Sequence, residues 1–189
     1  MSMRSFSTSC LVIATLAFAP SALGQDLVVP RFVDETATSG ITTSYDGDWF
    51  FMVGGGVATF DCNDDGFADL LLPGGESKAA FYRNTSARGG ALTFEAQESG
   101  LELDSVTGAY PADIDGDGIS DLIVLRVGEN VAMRGLGACK FERANEAWGF
   151  DGGDAWSTAF AATWEKGARW PTLAIGNYID RREEGFPWG

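Results

Sequence analysis

Apolar residues in this chain fall in short runs, and the runs recur. Leu70-Leu71-Leu72 and Leu122-Ile123-Val124-Leu125 are unbroken apolar stretches, the length of buried strands rather than helices. Each follows directly on an acidic segment: Asp61-Cys62-Asn63-Asp64-Asp65-Gly66-Phe67-Ala68-Asp69 or Asp113-Ile114-Asp115-Gly116-Asp117-Gly118-Ile119-Ser120-Asp121. Each acidic segment is preceded by a further strand-like stretch, Gly56 to Phe60 or Gly108 to Ala112. Thr158-Ala159-Phe160-Ala161-Ala162 and Leu173-Ala174-Ile175 repeat the same two stretches once more. Beyond the acidic segments, Phe81-Tyr82-Arg83 matches Ala132-Met133-Arg134. Asp61 to Asp113 is 52 residues, and Asp113 to Thr163 is 50. A period of roughly 50 residues is the length of a propeller or solenoid unit.

Three aromatic-led segments complete the pattern. Phe32 to Ile41, Phe94 to Leu101 and Phe141 to Phe150 each read as a short strand, a glycine-bearing turn and an apolar residue. Every unit thus offers about four short strands, the plan of a propeller blade. The turns between them are marked by Pro73-Gly74-Gly75, Gly89-Gly90, Gly135-Leu136-Gly137 and Gly152-Gly153. No stretch has a helical stripe. The predicted fold is therefore all-β, a partial β-propeller with roughly 50-residue four-stranded blades, the third incomplete. Propellers close with ~4–8 blades, so the expectation is a fragment of a longer propeller, or a ring completed by association. Asn177 to Gly189 reads as a polar loop.

Composition changes this picture in four ways. Arg4, the apolar run Cys10 to Ala19 and the small-residue site Ala22-Leu23-Gly24 predict a secretory signal over residues 1–24, with the mature chain spanning 25–189. Secretion or periplasmic export follows, and no stretch is long enough to span a membrane. The net charge is −14, which disfavours nucleic acid and anionic membrane as partners and favours cations. The chain has no histidine, which excludes a Ser-His-Asp triad, a Cys-His dyad and His-ligated zinc. Export leaves Cys62 and Cys139, a candidate disulfide that spacing alone does not decide.

The acidic segments carry the candidate chemistry. Clustered carboxylates repel one another unless a cation sits among them, and calcium takes ~6–8 oxygen ligands. Loop positions 1, 3, 5 and 9, with the backbone carbonyl at position 7, supply five ligand groups. In the first loop these are Asp61, Asn63, Asp65, the Phe67 carbonyl and Asp69; in the second, Asp113, Asp115, Asp117, the Ile119 carbonyl and Asp121. An EF-hand needs a bidentate Glu at position 12, where Leu72 and Val124 stand. Two calcium sites are predicted, the second tighter because it has four carboxylates against three and an amide. Advancing the second loop by 50 puts Thr163, Glu165, Gly167 and Pro171 at the ligand positions of the third copy, which keeps the strands and loses the ligands.

Repeats of the form Gly-x4-Asp-x-Asp/Asn-x-Asp-Gly-x-x-Asp-Leu resemble the FG-GAP repeat of integrin α-subunit propellers and the related VCBS-type repeats of bacterial secreted proteins. Phe81-Tyr82-Arg83-Asn84, Leu92-Thr93-Phe94 and Leu173 to Tyr178 resemble the ASPIC/UnbV group, which includes the cartilage acidic proteins. The resemblance implies calcium on the propeller face and a scaffold that binds a macromolecular or glycan ligand. The alternative is a propeller-type lyase or hydrolase acting on polysaccharide with calcium. Glu95, Glu98, Glu102, Glu142 and Glu165 are the acids it would draw on, and no spacing singles out a pair. Arg83 and Arg134 recur at equivalent positions, which points to structural charge pairing. Of Trp49, Trp148, Trp156, Trp164, Trp170 and Trp188, most are expected to pack and some to offer sugar-stacking faces.

Overall fold

A computed structural model describes residues 29–179, so the predicted signal over 1–24 lies outside the described residues. The chain divides into two units, Met1–Val33 and Asp34–Gly189. In the first, residues 29–33 have no regular structure, so the strand expected at Phe32-Val33 does not form.

The second unit is built from antiparallel strands. β1 (Ala58–Phe60), β2 (Asp69–Leu72), β3 (Ala80–Asn84) and β4 (Phe94–Ala96) form a four-stranded sheet in that order. β5 (Val106–Ala112), β6 (Asp121–Gly128), β7 (Val131–Gly135) and β8 (Phe141–Arg143) repeat the arrangement. β9 (Ala155–Thr163) and β10 (Thr172–Ile179) make a third hairpin. β9 joins the far end of β6 through Val127 opposite Trp156 and Gly128 opposite Ala155. One turn of helix, α1 (Asn145–Trp148), interrupts the strands and stops at Gly149 in the left-handed conformation.

Two expectations are corrected by the pairing. The aromatic segments at Phe94 and Phe141 do not lead their units: each is the outer strand of the preceding sheet, hydrogen-bonded to β3 or β7. In the third copy the register moves the loop by one residue. Phe60 pairs with Asp69, Ala112 with Asp121 and Thr163 with Thr172, so each hairpin encloses eight residues. Position 1 of the third loop is therefore Trp164, followed at positions 3, 5 and 9 by Lys166, Ala168 and Thr172. Glu165 falls at position 2, where the side chains of the other loops, Cys62 and Ile114, turn into the protein. β10 also continues to Ile179, through the start of the predicted polar loop.

The blades stack on alternate faces of β6. Leu122 and Val124 pack toward Phe60, Leu71 and Phe81 of the first sheet. Ile123 and Leu125 lie on the other side with Tyr110, Phe160, Leu173 and Ile175. Strand alternation sends successive side chains to opposite faces, and here both faces are covered, so the sequence shows an unbroken apolar run. The recurring turn glycines have a shared cause. A Cβ on Gly40 would stand 2.4 Å from the Phe94 carbonyl oxygen, and one on Gly100 would stand 2.4 Å from that of Phe141. The amides of the same two phenylalanines donate to the carbonyls of Ser39 and Ser99, at 2.7 and 2.9 Å. The glycine-bearing turn thus holds the outer strand of each blade.

Cys62 and Cys139 form a disulfide, with Cα atoms 4.8 Å apart. It ties the first acidic loop to the β7–β8 turn of the next blade. Breaking it through a Cys62→Ala/Cys139→Ala variant is expected to lower the unfolding free energy by about 2–4 kcal/mol. The urea midpoint measures this, and an unchanged midpoint would show that the bridge adds nothing to the packed interface.

Candidate metal centre

Each acidic loop is wound by its own side chains. Asp61 accepts from the amides of Asn63 and Asp65 at Oδ1, both 3.3 Å, and of Gly66 at Oδ2, 2.8 Å. Asp113 accepts from Gly116 at 2.9 Å and Gly118 at 3.1 Å. Position 3 accepts from the amide at position 5, Asn63 from Asp65 at 3.3 Å and Asp115 from Asp117 at 3.2 Å. Position 5 accepts from position 7, Asp65 from Phe67 at 2.8 Å and Asp117 from Ile119 at 2.9 Å. These are Asx turns in series, the local bonding that draws Asp and Asn into turns. Positions 4 and 6 take positive φ in both loops: 63° at Asp64 and 81° at Gly66, then 78° at Gly116 and 86° at Gly118. A Cβ at any of those three glycines would meet nothing within 4 Å, so backbone conformation alone asks for glycine there.

Winding the loop gathers its oxygens. Carboxylate atoms of Asp113, Asp115 and Asp117 lie within 4.8 Å of one another. The first loop places Asp61, Asn63 and Asp65 at the same positions of the same turn. Its position 5 oxygen is met by the Asn63 amide, with Nδ2 2.9 Å from Asp65 Oδ2. In the second loop Arg134 takes that role. Its guanidinium reaches Asp117 Oδ2 at 3.0 Å, and its Nε stands 2.9 Å from Asp115 Oδ2 as an ion pair whose N–H is not directed at the oxygen. The Ile119 amide and Arg134 together hold the exposed Asp117 carboxyl below the usual carboxylate range.

Position 9 differs from the rest. Asp69 and Asp121 are fully buried. Asp69 accepts from the Cys62 amide at 3.1 Å and from the Asn84 amide at 2.8 Å. Asp121 accepts from the Ile114 and Gly135 amides, each at 2.8 Å. Each carboxylate therefore joins loop position 2, through Oδ2, to the last residue of the following strand, through Oδ1, with lone pairs left over on each oxygen. Burial raises both pKa values, outweighing the backbone donors, which lower them, and the other loop carboxylates add to the rise. A nearby cation would act in the opposite sense.

The donor set fits a hard divalent cation: carboxylate, amide and carbonyl oxygens with no thiolate or imidazole. The sulfurs of Cys62 and Cys139 also lie beside Asp69, Cys62 Sγ 2.8 Å from Oδ2, but as disulfide atoms they neither donate a proton nor bind metal as thiolates. Of the candidate catalytic acids, Glu95 pairs with Arg83 at 3.6 Å, and Glu102 accepts from Ser99 and Gly100. Trp156 is fully buried, Trp49, Trp164 and Trp170 are exposed, the Trp148 ring lies 6.1 Å from that of Trp170 at a 52° tilt, and Trp188 lies outside the described residues.

Residues 61–124 match the family model described as FG-GAP-like repeat. The matched span opens on Asp61, takes in both loops and ends within β6. The fold is all-β and built from antiparallel sheets, and over the matched third of the chain it is similar to an FG-GAP-like repeat, which is consistent with a β-propeller type of architecture. No curated protein matches the chain.

Two outcomes test the division of labour within the loops. Asp121→Asn sets an NH2 group against a buried amide, so it is expected to cost about 1–3 kcal/mol in chelator, while Asp117→Asn, at an exposed carboxyl, costs far less. Equal losses in urea melts would contradict the distinction. Because the native pKa of Asp121 is raised, the stability linked to its protonation is complete below the unfolded value of about 3.9 and is lost as pH rises through the native one. In chelator, the wild-type advantage over Asp121→Asn should shrink across that window.

Proposed function

We propose that this chain is a secreted calcium-binding β-propeller module, with one ion in each acidic loop, acting as a scaffold for a glycan or macromolecular ligand. The observation that carries the reading is the convergence of Asp113, Asp115 and Asp117 oxygens within 4.8 Å on a turn wound by its own carboxylates. Five ligand groups per loop leave room for water in a ~6–8-coordinate shell. In each loop the ion would sit beside a buried carboxylate that already links the loop to the neighbouring strand. Calcium here is structural: it stiffens the hairpin ends from which a binding face projects. The predicted signal, the acidic surface and the disulfide support an extracellular or periplasmic setting. Segments Phe81 to Asn84 and Leu173 to Tyr178 support a place near the ASPIC/UnbV group.

The test is calcium titration of EDTA-stripped protein. Calorimetry should show two sites in the range of extracellular modules, ~10⁻⁴–10⁻³ M. At ten times Kd each site should add about 1.4 kcal/mol, which raises Tm by several degrees. Absence of both heat and thermal gain would overturn the reading. A glycan array probed with and without calcium checks the ligand class.

A further inference from the structure

Arg83 and Arg134 occupy the same position on β3 and β7, yet they do different things. Arg83 lies opposite Glu95 in the β3–β4 register and pairs with it at 3.6 Å. Arg134 lies opposite Glu142 in the β7–β8 register. Its guanidinium turns instead to the second loop and takes Asp115 and Asp117, at 2.9 and 3.0 Å. The difference tracks position 3 of the loops. The first loop has Asn63 there, and its amide satisfies Asp65. The second has Asp115, an extra negative charge with no such donor. Arg134 brings the ligand-set charge of the second loop from −4 to −3, equal to that of the three carboxylates of the first.

We propose that Arg134 is a built-in competitor for the cation of the second loop. Its guanidinium occupies the position 3 and position 5 carboxylates when the ion is absent and leaves them when the ion binds. This rests on the calcium reading above. The two carboxylates that Arg134 neutralises, Asp117 through a hydrogen bond and Asp115 as an ion pair, belong to two of the five ligand groups, so ion and guanidinium compete for the same charge. The Arg134 side chain is already 42% exposed, and the exposed Glu142 lies across the β7–β8 pair to receive it, as Glu95 receives Arg83. The second loop therefore does not gain the full affinity that its fourth carboxylate would give. It is stable without the ion, and the first loop, with no guanidinium among its ligands, is the more ion-dependent of the two.

The experiment is calcium calorimetry on EDTA-stripped protein in an Asp65→Ala background, which leaves the second loop as the site observed. Arg134→Gln should tighten that site about five- to tenfold, and Arg83→Gln should leave it unchanged. In EDTA, Arg134→Gln should lower Tm by a few degrees, because Asp115 and Asp117 then face each other without a cation. An unchanged or weakened site in Arg134→Gln would overturn the competition while leaving the calcium reading intact. If the chain with Asp65 restored also takes up no calcium, both fall together, and a Tm loss in EDTA would then mark Arg134 as a permanent charge partner.

Discussion

Everything at the loop end of this fold depends on a buried carboxylate that accepts two backbone amides from different segments. Asp69 joins Cys62 to Asn84, and Asp121 joins Ile114 to Gly135. In both cases the aspartate is the first residue of the strand that leaves the loop. One side chain thus closes the loop behind it and fixes the end of the next strand beside it. An unpaired amide buried at either place would cost about 1–3 kcal/mol, so the carboxylate is demanded by the backbone as much as by any ion. Its own burial is unfavourable, and that is where a cation among the neighbouring oxygens would contribute.

The rest of the architecture keeps these staples in register. β6 presents apolar residues to both sides, the first sheet packing against one and the β9–β10 hairpin, joined to its far end, against the other. The Cys62–Cys139 bridge adds a covalent tie between the first loop and the second blade. The acidic loop and the packed sheet are consequently tied at one residue: moving position 2 disturbs both the Asp69 staple and the disulfide.

Much of this was legible in the chain. The apolar runs after each acidic segment became β2 and β6, and the Tyr-Arg and Met-Arg segments became β3 and β7, because both faces of each strand are buried or paired. The acidic spacing was read as ligand positions; that the same Asp and Asn side chains wind the turn is local bonding that the spacing also permits. What was not legible depends on long-range register. The third loop begins one residue later than a 50-residue repeat implied, because the eight-residue enclosure is set by strand pairing. Phe94 and Phe141 close the blade before them, a choice made by hydrogen bonds rather than by sequence order. The dual attachment of Asp69 and Asp121 and the diversion of Arg134 to the second loop needed the third dimension. The Cys62–Cys139 pair stayed open until the Cα separation was known.

The most direct test of this account is amide hydrogen exchange at the four stapled positions, Cys62, Asn84, Ile114 and Gly135, compared with the solvent-facing amides of Gly116 and Gly118. The four are expected to exchange with the slow core amides in chelator and to slow further together when calcium is added. Exchange of the four at the rate of Gly116 and Gly118, unaffected by calcium, would contradict it.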